Sequence, residues 1–412
     1  MPIKTIIKKT PLFDFLAYIR YLFSRYIKNF YYKSVILYFN NKLKSIDCES
    51  VNFFGYYNLS PQNKEGKIIY LRVSKELKRG CILESAEIML EDQFNCKKQI
   101  GLTRAWNWQQ GCMLQWLGPD FNKIIFNDYE NGEYVSKVIS NEENLLRIYS
   151  KPIYAVAKNG EFALTLSYER LTKIRPDYGY FNKPYDKLLP ECEDGIWKLN
   201  LNNGQSDLII TLVDLKNLKF VNSMINAEHK VNHIDINSSS LRFMFLHRWV
   251  GPNGRFMRLI TANIDGSDLY ILNGDKMTSH CCWLNDHEII SFCFVEGIGN
   301  GYYKFLDKTN KVNLLSGELP KEDGHPSVSP KGNWLITDTY PNISCFSKLL
   351  LYDLVNNKKY ELGMFYQPLK YNGEMRIDLH PKWSMDGKNI FFESGHSGRR
   401  QLNKLDISNI IN

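Results

Sequence analysis

The stretch HPSVSPKGNWLITDT, from His325 to Thr339, decides the fold, because three other stretches align with it without gaps. They are HPKWSMDGKNIFFES from His380, HCCWLNDHEIISFCF from His280 and HIDINSSSLRFMFLH from His233. The four starts lie 47, 45 and 55 residues apart. That period suits either a four-stranded propeller blade or a longer helical repeat. The local pattern decides for the blade. Val328, Trp334 and Ile336, like Phe391 and Phe392, belong to short β-rich runs, and a Gly-containing turn (330–332, 385–387) splits each unit into a hairpin. No run keeps a 3.6-residue apolar period.

Weaker copies precede these. PIYAVAKNGEFALTLS starts at Pro152, MLQWLGPDFNKIIFND at Met113 and FGYYNLSPQNKEGKIIYLRV at Phe54. Seven units from about residue 50 onward predict an all-β, seven-bladed β-propeller, closed into a ring that removes sheet edges. The stretch 170–195, rich in Pro, Tyr and Asp, interrupts the regular spacing. It reads as a long inter-strand excursion, a common place for functional residues.

With 412 residues, 44% of them apolar, the chain can bury one large core. The net charge of +8 resides in residues 1–46, which hold nine Lys or Arg and one acid, while the rest is balanced. This excludes a nucleic-acid-binding propeller face. The basic segment is also aromatic, with charges every few residues (Asp14, Arg20, Arg25, Lys28, Lys33), so neither a spanning helix nor a cleavable signal peptide is expected. We expect a short helical N-terminal extension over 1–48 and the propeller over 49–412. Two readings of 1–46 stay open: peripheral contact with an anionic inner-membrane surface, or a helical cap on the propeller. Nine cysteines without a CxxC pair fit reduced thiols in the cytoplasm, with Cys281 and Cys282 as packing residues. A monomer is expected.

Half of the eight histidines occupy one phase of the repeat. A residue type repeated at one phase lies on a ring, here at one mouth of the central channel. Imidazoles gathered there are suited to a divalent metal, and Asp323 and Asp378 are nearby carboxylates for ligation or for orienting a ring. Arg376, Arg399 and Arg400 would contact anions. The competing reading is that each histidine caps its strand. His229, His287 and His396 are off phase and read as solvent or loop residues. His247, in the phrase LHRW, reaches a site with Arg248 or packs.

The stretch TRAWNWQQGCMLQWLG (Thr103 to Gly118), the FFGYY…SP phrase and the His-led SPKG and SMDGK blades resemble bacterial oligogalacturonate-lyase-type seven-bladed propellers with TolB-like or WD40-like blades. The resemblance spans about 50–412. It implies metal-assisted β-elimination on an acidic, uronate-containing oligosaccharide, with Mn2+ as cofactor. On the matching positions it implies His280, His325 and His380 as metal ligands, with Asp378 where a further histidine is expected. It implies His233 as an active-site histidine, which we take as the base. Arg175, Tyr178 and Tyr180 in the excursion are candidates for sugar contact or leaving-group assistance. Arg376, Arg400, Gln110, His247 and Arg248 are candidate substrate contacts. Gln109 is a weaker candidate for the same role, and Trp106 and Trp108 read as blade core. Two other functions stay open. One is a non-catalytic propeller binding glycan or partner enzymes in cell-surface polysaccharide assembly. The other is a glycosidase using two of Asp323, Asp338 and Asp378. No phosphate-binding glycine loop is present.

Overall fold

The computed structural model describes residues 36–38, 43–76, 84–274 and 277–411. Their strands form seven antiparallel sheets. Five run wholly in chain order from an innermost strand outward, as in Ala155–Val156, Phe162–Thr165, Gly195–Asn200 and Ser206–Thr211. All seven blades expected from the repeat are present. Their innermost strands follow the aligned positions: Val51–Phe53 and the FGYY segment, Gln115–Leu117, Ala155–Val156, Glu228–Ile236, Thr278–Trp283, Ser327–Val328 and Lys382–Trp383.

The hairpin glycines are required by geometry. Gly160, Gly332 and Gly387 have φ of 73°, 76° and 73°, a left-handed conformation that side chains with a Cβ adopt only at a cost. These three residues hold the phase of the repeat.

The ring is closed by the chain's beginning. Leu43–Ser45 pairs with Gln401–Asp406 as the outermost strand of the last blade. The short strand Ile36–Leu37 adds to the outer edge of the preceding blade, beside Lys358–Tyr366. The propeller therefore begins before residue 49. The physical reason is closure: the last blade has only three strands from the C-terminal stretch, and an early strand completes its ladder. The proposed helices of 1–48 lie largely outside the described residues. No helix among the described residues is long and apolar enough to cross a membrane.

Apolar faces pack between blades. The largest clusters run from Tyr56 through Phe162 to Ala262, and from Phe53 through Trp116 to Leu402. Trp106 and Trp108 pack on Phe53, with ring centroids 5.6 and 5.0 Å away, so both are core as expected. Cys281 and Cys282 are buried packing residues. The excursion folds into a helix, Tyr168–Ile174, capped by the Ser167 side chain, and a 3-10 turn, Pro176–Tyr178.

Candidate functional site: a closed ring of histidines and tyrosine

The four phased histidines converge. Ring centroids are 5.4 Å apart for His233 and His280, 4.1 Å for His280 and His325, and 4.3 Å for His325 and His380. Tyr56 of the first blade closes the circle, 5.4 Å from His380 and 5.3 Å from His233. Tyr57 lies beneath, 5.7 Å from His280 and 5.5 Å from His325. All four histidines are buried.

The backbone is bent to aim them. His233 and His380 have φ of 53° and 44°, which is left-handed and unfavourable for a residue with a side chain, by about 1–3 kcal/mol each. The pairing register slips between Asn232 and Asp235, and again between Thr278 and Cys281. Such bulges redirect a side chain out of the ordinary strand alternation.

Carboxylates hold the imidazoles from behind. Asp338 accepts the backbone N–H of His325 at 2.7 Å, the backbone N–H of His380 at 3.2 Å and the Nδ1–H of His325 at 2.8 Å. Asp323 accepts the Nδ1–H of His280 at 3.1 Å and the Ser279 hydroxyl at 2.5 Å. An ionised carboxylate can only accept, so these bonds put the proton on Nδ1 and leave the Nε2 lone pair facing the ring. A carboxylate behind a histidine is the usual support of a metal-ligating imidazole.

What lies in front has no internal partner. Among the described residues no hydrogen bond reaches His325 Nε2, either nitrogen of His380 or Asp378 Oδ1, all buried. Unpartnered buried polar atoms are rare and demand an explanation. Ligand atoms of His325, Asp378 and His380 lie within 4.8 Å of one another, so the three could hold a metal ion. His280 falls outside that group, although its ring abuts His325. The donor set of two imidazoles and a carboxylate suits a borderline or hard divalent ion.

Burial and charge set the proton affinities. Burial, then Arg248 and the neighbouring histidines, hold His233 well below the ordinary histidine range. Burial does the same for His380, with His325 and Lys382 adding to it. For His325 burial is outweighed by the carboxylates of Asp338, Asp378 and Asp323, and its proton affinity is raised.

A basic wall stands beside the ring, supplied partly by the excursion. Tyr178 reaches Tyr56 and His233, with centroids 6.1 and 6.0 Å away, and Arg175 lies over the Tyr178 ring at 5.0 Å. Arg376 bonds Asp378 through Nε and Asp177 through Nη1, each at 2.8 Å. Arg248 and Lys230 are adjacent partners across two strands. Burial depresses both, with the charges of Arg248 and Arg175 adding to it at Lys230 and that of Arg175 at Arg248. Buried Nε atoms of Arg175 and Arg248 have no hydrogen-bond partner among the described residues, and Arg175 Nε lies 4.0 Å from Asp177 Oδ2. A cleft of about 500 Å³, lined by Tyr340, Gln367, Tyr371, Arg376 and Asp378, opens on the same side.

Other expected contacts lie elsewhere. Arg400 is buried and used as a brace: it donates to Glu393 at 2.9 Å and to the carbonyls of Trp108, Met375 and Arg376. His247 faces away from the ring and bonds His229 at 2.9 Å; His229 stacks on Trp249, and His247 packs tilted against the same ring. His229 is therefore buried core, not a solvent or loop residue, because its strand continues the face that meets Trp249. Gln110 donates to Tyr154 Oη at 2.8 Å, which accepts the His233 N–H at 3.0 Å. It supports the ring indirectly. Gln109 bonds the carbonyls of Glu374 and Arg376. Tyr180 is stacked on Tyr168 inside the blade. Residues that sequence reasoning missed are Tyr56, Tyr57, Lys230, Tyr340 and Asp338 as a double clamp. The signal for the tyrosines was present, since FGYY stands at the ring phase of the first blade.

No protein-family model and no curated protein matches the chain in sequence. Solved structures do match its fold. An oligogalacturonate lyase from Vibrio parahaemolyticus superposes with a TM-score of 0.65 at 12% identity, over 91% of this chain and 96% of that one. An oligogalacturonate lyase in complex with manganese gives 0.61 at 13% identity, over 90% and 96%. At this identity the likeness establishes the seven-bladed fold.

Proposed function

We propose that the protein is a carbohydrate-active lyase that cleaves uronate-containing oligosaccharides by β-elimination, assisted by a divalent ion. One observation carries the reading: buried imidazole nitrogens without a hydrogen-bond partner lie beside an excess of cations, of which Lys230 is buried and Arg175, Arg248 and Arg376 are partly buried. Arg175, Arg248, Lys230 and Arg376 face only Asp177 and Asp378 as carboxylates not committed to a histidine. Buried cations are stable only when paired, and an anionic substrate supplies the missing charge. The likeness to the two oligogalacturonate lyases points to a uronate as that anion.

The residues can be given roles on this reading. Arg248 and Arg175 bind the sugar carboxylate by fork-shaped hydrogen bonds. His233 is the base. Its depressed proton affinity keeps it neutral at pH 7, and Tyr56, hydrogen-bonded to its Nδ1, orients it. With Nδ1–H donating to Tyr56, Nε2 takes the proton from C5. The C5–H electron pair forms the C4–C5 double bond as the C4–O bond breaks. Tyr178 faces the departing oxygen and donates its proton to it. His325, His380 and Asp378, flanked by His280, would hold a divalent ion, Mn2+ by likeness, which when bound supplies Lewis-acid stabilisation of the charge that develops on the carboxylate.

The test is ion binding with variants on and off the ring. Calorimetric titration with Mn2+ should give one site per chain, lost in His380→Ala and kept in His247→Ala. Equal binding by both variants, or none by the wild type, overturns the metal-assisted reading.

A further inference from the structure

A second cavity lies on the same axis, past the ring. Residues two or three places past the ring positions Tyr56, His233 and His380 lie further along the channel wall. These are Asn58, Asp235 and Trp383, and with Gln115 and their neighbours they line a cavity of about 430 Å³. That volume is within the range of small-molecule sites. Tyr57 separates the two sites. It lines this cavity, packs on His280 and His325, and is fixed by donating to Cys281 O at 2.8 Å while accepting the Cys281 N–H at 3.1 Å.

The hydrogen-bonding groups of this cavity are one-sided. Its amide and indole groups each donate to the protein, and its two lysines, Lys64 and Lys158, are exposed residues. Gln115 Nε2 donates to Met113 O at 3.1 Å, Trp116 Nε1 to Pro61 O at 3.0 Å and Trp383 Nε1 to Ser327 O at 3.0 Å. Asn58 Nδ2 donates to Asp235 Oδ1 at 3.2 Å. That bond also settles the orientation of the amide, since the reverse would set oxygen against carboxylate. The two lysines of the wall are engaged: Lys158 donates to Ser238 Oγ at 2.9 Å and Lys64 lies over Phe121 at 5.5 Å.

What is left are acceptors. Asn58 Oδ1 is buried with no partner among the described residues. The Asp235 carboxylate has acceptor capacity beyond its bond to Asn58. Burial raises the proton affinity of Asp235 to about 6, outweighing the bond from Asn58 and the charge of Lys158. Leu59, Ile236 and Val328 make the remaining wall apolar. A carboxylate ligand would set acceptor against acceptor, and a hydroxyl brings a single donor and no charge. An ammonium group has three donors and no acceptor.

We infer that this cavity binds a small aliphatic ammonium ion, its nitrogen donating to the Asp235 carboxylate and Asn58 Oδ1 and its carbon chain lying on the apolar wall. The site does not depend on the chemistry at the histidine ring. The probes are n-butylammonium and its neutral isostere 1-butanol, titrated into the full chain at pH 7.5 by calorimetry. Butylammonium should bind at least tenfold tighter than 1-butanol. Asp235→Asn should erase that preference, and Asn58→Leu, which keeps the charge, should weaken butylammonium several-fold. Should Asp235→Asn fail to fold, the wild-type preference and Asn58→Leu decide. Absent binding of butylammonium, equal binding of the two probes, or an unchanged preference in folded Asp235→Asn overturns the inference.

Discussion

Replacing Asp338 by alanine tests the architecture of the ring. This carboxylate is buried and accepts three hydrogen bonds from two blades: two backbone N–H groups, of His325 and His380, and one ring N–H. A hydrogen bond to a charged acceptor is worth about 1.5–3 kcal/mol, and a buried N–H left without an acceptor costs about 1–3 kcal/mol. Relief of the buried charge offsets part of this. The net loss should be about 3–5 kcal/mol, because His380 also loses a clamp on its left-handed backbone. Guanidinium denaturation followed by tryptophan fluorescence measures it. Asp338→Asn keeps one acceptor oxygen and should cost about half as much. Nitrogen NMR gives a second reading: His325 should carry its neutral-form proton on Nδ1 in the wild type and show mixed tautomers in the variant. A loss below about 1 kcal/mol in Asp338→Ala, with the tautomer unchanged, refutes the clamp.

Further outcomes follow from the same geometry. Burial lowers the proton affinity of His229 to about 4 and that of His247 well below the ordinary value. In such a case the unfolded chain binds protons that the folded chain refuses, so stability rises with pH through this window and is lost as pH falls below about 6.5. His229 should contribute up to about 3 kcal/mol on the scale of 1.36 kcal/mol per pH unit, and His247 acts in the same direction. Melting curves from pH 8 to 4 check this, and a double His229→Gln, His247→Gln variant should flatten the profile; an equally steep one would count against it. Arg400→Met should lower the unfolding free energy by several kcal/mol, since it removes the cation that bonds Glu393 Oε2, while a folded Arg248→Met should leave stability intact and weaken binding of a uronate oligosaccharide at least tenfold. The reverse pattern would exchange the roles given to the two arginines. Tyr56→Phe should lower kcat about tenfold or more with little change in KM, and a KM effect alone would remove Tyr56 from the positioning of His233.

The fold was legible because its punctuation is local. Gly332 and Gly387 stand seven places after His325 and His380, and each turn needs a left-handed glycine, so the blade phase survives while the rest of the sequence drifts. The meeting of the four histidines followed from that phase alone. The strand that closes the ring was not legible: Leu43–Ser45 is three residues long and gains its identity only from Gln401–Asp406 across the chain. Arg400 misled because a guanidinium beside another arginine reads as a surface anion contact, whereas Glu393 and three carbonyls consume its donors. His247 misled because its neighbour Arg248 points to the site, and adjacent strand residues face opposite ways. Asp338 was legible as a carboxylate near the mouth, but its double hold on His325 and His380 joins two blades and has no local signature.

A lyase acting at the ring must form C4–C5 unsaturation in its product. The measurement is ultraviolet absorbance of Mn2+-supplemented protein incubated with oligogalacturonate, with His233→Ala in parallel. Absorbance of an unsaturated uronate that grows with the wild type and is lost in the variant is the predicted result. Chain cleavage without that absorbance, no cleavage at all, or equal absorbance from the variant would contradict it.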